Sequence, residues 1–134
     1  MRHRKYRHRL GMKKDHRTAV MANLASALLE HGRIRTTLPK AKGLRPYVER
    51  VISLAKRAQG DSAERALYLR RLAISRLRNK AIAHHLFEER VEQFSNRNGG
   101  YCRIYKLGHR SGDATEMAII ELIESDDEGY SSSK

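Results

Sequence analysis

The entire positive excess of this chain lies in its first 58 residues, and that asymmetry limits what the segment can become. Sixteen Lys and Arg stand there against three acids, Asp15, Glu30 and Glu49, which matches the net charge of +13 of all 134 residues. Residues 59–134 hold twelve of each sign. Seven bases fall in residues 1–14, where the only apolar side chains, Met1, Tyr6, Leu10 and Met12, make no stripe. Ordering such a stretch alone costs conformational entropy and buries nothing in return. We expect an arm that orders on a polyanion. Fully extended, it reaches about 45–50 Å.

From residue 15 the pattern becomes one that folds. Asp15 reads as the N-cap of a helix running to His31 and stopped by Gly32. Val20, Leu24 and Leu28, flanked by Met21, Ala25 and Leu29, form its apolar face. Residues 33–38 alternate and are β-branched, which predicts a short strand. Pro39 opens a second helix with Leu44, Val48, Val51, Ile52 and Ala55 inward, and Gly43 and Pro46 predict a kink or a late start. Asp61-Ser62-Ala63-Glu64 resembles a capping box for a third helix to about Leu77, with Leu67, Ile74 and Leu77 near one face. Asn79 caps a fourth, with Ile82, Leu86 and Phe94 inward. Gly99-Gly100 ends the helical period. Residues 101–107 alternate as a strand, and 108–115 form a loop. Residues 117–123 are apolar on both faces, as in a central strand. The expected fold is α/β of the α+β kind: a small three-stranded mixed sheet packed by about four helices, its last two strands a hairpin. A basic extended N-terminal arm spans residues 1–14, one globular α/β domain 15–124, and an acidic, Ser-rich disordered tail 125–134.

Arg outnumbers Lys by 19 to 9. Arg grips phosphate bidentately, so the excess fits folded nucleic acid better than the diffuse charge of a lipid surface. The competing reading of the arm is a solvated targeting tail. No apolar run approaches the roughly 18 residues of a membrane span, and MRHRKYRHRLGMKKDHR lacks the apolar stretch of a secretory signal. Aromatic residues are 6% with no Trp, which argues against a platform for stacking successive bases. No helix-turn-helix pair or dimerisation element suggests a reader of the DNA major groove. Shape and phosphate recognition of folded RNA is the better fit.

The chemistry of catalysis is absent from the pattern. A single cysteine, Cys102, excludes an internal disulfide and fits a reducing, cytoplasmic compartment. Among the seven histidines, His84 and His85 would point about 100° apart on a helix, and no second cysteine helps them hold a metal. His3, His8 and His16 are instead expected to donate to phosphate. No His–Asp partnership surrounds Cys102. The stretch Gly108-His109-Arg110-Ser111-Gly112-Asp113 lacks the Gly-Lys-Ser/Thr ending of a phosphate-binding loop, although Arg110 is a candidate phosphate contact. We expect no enzyme, no metal, no cofactor and no small-molecule substrate.

Several short motifs then fall in a telling order: Met1-Arg2-His3-Arg4-Lys5, Gly32-Arg33-Ile34, Thr36-Thr37-Leu38-Pro39-Lys40-Ala41-Lys42, Leu54-Ala55-Lys56, Gly99-Gly100-Tyr101, Arg103-Ile104, Met117-Ala118 and Ile120-Glu121-Leu122. Their order and spacing resemble the bacterial large-subunit ribosomal protein L-seventeen family over residues 1 to about 124. The resemblance implies a structural constituent of the large ribosomal subunit. It would bind folded large-subunit rRNA on the solvent side, near the nascent-chain exit, beside neighbouring ribosomal proteins and without forming a homo-oligomer. On the family pattern Arg2, His3, Arg4 and Lys5 are arm contacts. Thr36, Thr37, Lys40 and Lys42 match its basic strand-to-helix segment, and Arg97, Gly99, Gly100, Tyr101 and Arg103 its glycine-turn segment. The charge pattern adds Arg7, His8, Arg9, Lys13, Lys14, His16, Arg17 and Arg35. Residues 6–14 follow the pattern loosely, Gly43 stands where it leads one to expect an acid, and Cys102 where it has Thr. The readings from other classes are a free nucleic-acid-binding regulator, which predicts a dimer with sequence preference, and an RNA-processing factor, which needs a nucleophile or metal cluster in a pocket.

Overall fold

In the first helix, α1 (Lys14–His31), the predicted stop holds: Gly32 takes the left-handed backbone, φ 82°, and its N–H returns to the Leu28 carbonyl at 2.8 Å. The computed structural model describes residues 8–123. The expectations for residues 1–7 of the arm and for the acidic tail lie outside the described residues. The start of α1 differs from expectation, since Lys13 is the N-cap and Asp15 falls inside the first turn. Its buried face is Met21, Ala22, Ala25, Ser26, Leu28 and Leu29, rotated from the predicted one, with Val20 and Leu24 at a half-buried margin. Small side chains at 22, 25 and 26 form part of this contact surface, and an apolar-residue count underrates them.

Strand β1 (Arg33–Thr37) passes straight into α2 (Leu38–Gln59), where Pro39 supplies a helix-ready φ in the first turn. The predicted late start does not occur, and α2 is helical throughout. Pro46 forfeits one backbone bond. The five predicted inward residues are all fully buried, and that packing offsets the loss. Gly43 has a local reason: a Cβ there would come within 3.2 Å of the His8 Cβ, so glycine lets the end of the arm lie on α2.

Helix α3 (Ala63–Leu77) is capped by the Ser62 hydroxyl, which accepts from the Arg65 N–H at 3.4 Å. Asp61, the expected cap, instead accepts from the Ser62 N–H and pairs with Arg65 at 3.0 Å. Leu69, Ala73 and Leu77 are buried, while Leu67, expected inward, is 49% exposed. The last carbonyls of α3 are satisfied from neighbouring helices: Tyr47 donates to Arg76 and Ser26 to Leu77. Helix α4 (Lys80–His85) is capped by Asn79 as expected, its side chain accepting from the Ile82 N–H at 3.2 Å. It widens into a π turn (Leu86–Arg90) and tightens into a 3-10 turn (Val91–Phe94). The wide turn brings Leu86 and Val91, five residues apart, into the same core, with Phe94 behind them.

Strands β2 (Cys102–His109) and β3 (Glu116–Leu122) complete a sheet of order β1-β3-β2. Both pairings are antiparallel, which corrects the expected mixed sheet. β1 and β2 do run parallel, but β3 inserts between them, so no parallel pair forms. β2 extends further than predicted, past an irregularity between Lys106 and Gly108. β3 is central, as its composition implied. The helices pack on one face only, where Ala118, Ile120 and Leu122 join the core. Met117 and Ile119 are half-buried on the opposite face. The fold class is the expected α+β.

Candidate nucleic-acid interface

Two of the four α-helices begin against the usual capping chemistry. A helix N-terminus presents unsatisfied N–H groups and partial positive charge, so it favours a side-chain acceptor and acids. α3 and α4 follow this rule through Ser62 with Glu64 and through Asn79. α1 does not: Lys13 caps it with no side-chain bond, and Lys14, His16 and Arg17 surround Asp15 in the first turns. α2 has no side-chain cap from Thr37 and no acid in its first turn, where Lys40 stands, with Lys42 just beyond. Each start lacks a side-chain acceptor and carries positive charge in its place, an arrangement that suits an anion.

Ion pairs neutralise part of the positive surface. Arg33, Arg45, Arg65, Arg70, Arg103 and Arg110 each meet an acid. Among the described residues, no acid stands within 4 Å of Lys13, Lys14, Arg35, Lys40 or Lys42. Lys13, Lys14, Arg35 and Lys42 are exposed and Lys40 half-exposed. Residues 8–12 tie the arm to this region. Leu10 packs against the core, and His8 and Leu10 line a cleft with Leu38, Pro39, Lys42 and Glu116. Arg9 and His16 are exposed and Arg17 half-exposed. Arg2, His3, Arg4, Lys5 and Arg7 lie outside the described residues.

The glycine-turn set divides. Gly99 and Gly100 are exposed, and Gly100 needs its left-handed backbone, φ 62°. Tyr101 is buried, its ring edge-on to Phe94 with centroids 5.3 Å apart. Lys56 of α2 donates to the Tyr101 hydroxyl at 3.1 Å and to the Arg97 carbonyl. Tyr101 therefore pins the turn to α2, and its side chain cannot meet RNA from there. Thr36 is buried as well. Both side chains are therefore turned into the fold, unlike the exposed glycines beside Tyr101. Arg110, in the β2–β3 turn, is held by Asp113 through contacts of 3.0 and 2.6 Å.

The sheet face away from the helices brings Arg35, Thr37 and Arg103 of the expected set together with Arg33, Tyr105, Met117, Ile119 and Glu121, which the set lacked. Register places Arg33, Glu121 and Arg103 in one row, Arg35, Ile119 and Tyr105 in the next, and Thr37 beside Met117 in a third. Glu121 sits between two guanidinium groups, 3.7 Å from Arg33 and 2.7 Å from Arg103. The signal for this face was present in the sequence: Arg33 and Arg35, like Arg103 and Tyr105, stand two apart on their strands.

Cys102 is buried, and burial pushes its thiol up to about 12, with Glu49 adding and Arg45 opposing. Such a thiol is a core residue and not a nucleophile. Among the described residues, no group of three or more His, Cys, Asp or Glu is placed to hold a metal ion, and no helix is long and apolar enough to cross a membrane.

Fold and charge define a class: small basic α+β proteins whose described helices lie on one face of a three-stranded sheet. Comparison with known proteins makes the class particular. The model of the family described as Ribosomal protein L17 matches residues 20–123. The large ribosomal subunit protein bL17 of Opitutus terrae is 55% identical over 136 aligned positions, covering 100% of this chain and 80% of that protein. The bL17 proteins of Methylacidiphilum infernorum and Erythrobacter litoralis are 48% and 44% identical, covering 92% and 96% of this chain and 89% and 86% of their own lengths. The chain belongs to the ribosomal protein L17 family.

Proposed function

We propose that this chain is a structural constituent of the large ribosomal subunit that binds folded large-subunit rRNA and fixes its geometry. The observation that carries the reading is the pair of uncapped, basic helix starts, with five bases near them that no described acid neutralises. Rigid backbone N–H groups and mobile ammonium groups together suit closely packed phosphates. Arg2, Arg4, Lys5 and Arg7 add four bases ahead of that region. Each neutralised phosphate releases counterions and adds about 0.7–0.9 to the slope of log K against log salt. The names of the relatives, large ribosomal subunit protein, support the assignment. The family resemblance further suggests a seat on the solvent side near the nascent-chain exit, beside other large-subunit proteins.

Sedimentation of cell lysate through sucrose at moderate and high salt tests the reading. The chain should travel with the large subunit and persist through the high-salt wash. Recovery at the top of the gradient at moderate salt would overturn it.

A further inference from the structure

The balanced charge of residues 59–134 conceals a local excess. Residues 63–80 carry six bases, Arg65, Arg70, Arg71, Arg76, Arg78 and Lys80, against one acid, Glu64. We infer that the corner between α3 and α4 is a second rRNA contact, where Arg71, Arg76, Arg78 and Lys80 hold phosphates of a segment distinct from the one at the helix starts. This inference rests on the rRNA-binding reading above and deepens it.

The first argument is what the fold neutralises and what it leaves. Arg65 pairs with Asp61 and Arg70 with Glu88. Arg71, Arg76, Arg78 and Lys80 are exposed, and among the described residues no acid stands within 4 Å of any of them. Four like charges gathered on one corner repel one another, and a polyanion removes that cost. The second argument is the backbone at Arg78. It ends α3 in the left-handed region, φ 54°, with its N–H returned to the Ile74 carbonyl at 2.8 Å. Glycine or asparagine ordinarily fills that position, because a Cβ is disfavoured there. An arginine held in it against that preference points to a use for its side chain.

Helix electrostatics account for only part of the cluster. Arg76 and Arg78 lie at the negative end of α3, where cations are favoured. Arg71 stands in mid-helix, and Lys80 opens α4, where a positive charge is disfavoured. Arg71, Ser75 and Arg78 stand four and three residues apart, so the two arginines share one exposed helix face. Three of the four bases are arginines, whose planar fork grips phosphate bidentately. Position separates this corner from the helix starts. Tyr47 of α2 donates to the Arg76 carbonyl, and Ser26 of α1 to the Leu77 carbonyl at 3.2 Å. Those two residues lie about 13 Å beyond the start of α2 and about 18 Å beyond the start of α1. One phosphate cannot serve both places, and one folded RNA can span them.

The test uses the full chain, protein-free large-subunit rRNA and filter binding over a salt series. Replacing Arg71, Arg76, Arg78 and Lys80 together with glutamine should flatten the slope of log K against log salt by about 3. Distant sites add, so removing the helix-start lysines as well should flatten it by about 6. Arg71→Gln with Lys80→Gln leaves the end of α3 intact and should flatten the slope by about 1.5, which is the measurement to read if the fourfold variant fails to fold. An unchanged slope in a folded corner variant overturns the inference and, with the unaltered chain still binding, leaves the rRNA reading intact. Failure of the unaltered chain to bind rRNA overturns the proposed function, and this inference with it. A benzophenone amino acid in place of exposed Ser75, between Arg71 and Arg78, gives a readout in intact large subunits that is independent of affinity. An adduct on rRNA supports the inference, and an adduct confined to a neighbouring protein makes the corner a protein-docking surface and overturns it.

Discussion

Replacing Lys13, Lys14, Lys40 and Lys42 together with glutamine removes four charges from the two helix starts without touching the core. None of these side chains belongs to the buried cluster, and none has an acid partner among the described residues. If each neutralises one phosphate, the slope of log K against log salt flattens by about 3. Over a fourfold rise in salt, the unaltered chain should then lose about 50- to 150-fold more affinity than the variant. Stability should stay level or rise. Lys13, Lys14 and Lys40 sit against the positive ends of their helices, and each like charge removed there relieves up to about 0.3–1 kcal/mol. The assay is filter binding of the full chain to protein-free large-subunit rRNA at several salt concentrations, with a thermal melt beside it. Parallel salt slopes at unchanged Tm would refute the assignment of phosphate contacts to the helix starts.

Three further outcomes follow from the body of the fold. Ile120→Ala, at a fully buried position of the central strand, should cost about 2–5 kcal/mol and lower the urea midpoint with little change in m; a loss under 1 kcal/mol would mean the site is not packed as described. Because burial pushes the Cys102 thiol up to about 12, the native chain should resist iodoacetamide near neutral pH and react promptly once unfolded, and equal rates in the two states would contradict its burial. The Arg110 guanidinium, aided by the Thr115 N–H, holds the Asp113 carboxyl well below the usual carboxylate range. Its folded pKa lies below the unfolded one, so its contribution to the turn is present above the ordinary Asp range and is lost as pH falls through the folded value. In an NMR titration Asp113 should stay ionised after ordinary Asp groups have protonated, and Arg110→Gln should return it to the ordinary range; an ordinary titration in the unaltered chain would show the pair does not form in solution.

Local signals with one strong physical reading were legible in the sequence. Gly32 ends α1 because only a left-handed residue closes that turn, and Asn79 caps α4 because its side chain reaches the Ile82 N–H. The inward face of α2 was readable because five residues share one helical stripe and all are buried. Readings failed where tertiary placement chose between near-equal local options. Asp61 and Ser62 both suit a cap, and the backbone selected Ser62. Leu67 and Leu69 both look like core, and the packing of α3 kept Leu69. Tyr101 and Tyr105 stand four apart, a spacing that puts both on one face of a strand, yet Tyr101 precedes β2 and is buried while Tyr105 pairs with Ile119 away from the core. The spacing of Arg33 and Arg35 and of Arg103 and Tyr105 was legible, but not that the two pairs share the face away from the helices. A strand apolar on both sides reads as doubly covered, and only the three-dimensional placement of the helices shows one side left open.

The central claim is that rRNA phosphates occupy the basic starts of α1 and α2. A single-particle structure of large subunits containing this chain tests it most directly. The account predicts the ammonium groups of Lys13, Lys14, Lys40 and Lys42 within about 2.7–3.2 Å of phosphate oxygens at the starts of both helices. Those lysines turned to solvent or to protein carboxylates, with rRNA meeting the chain elsewhere, would contradict it.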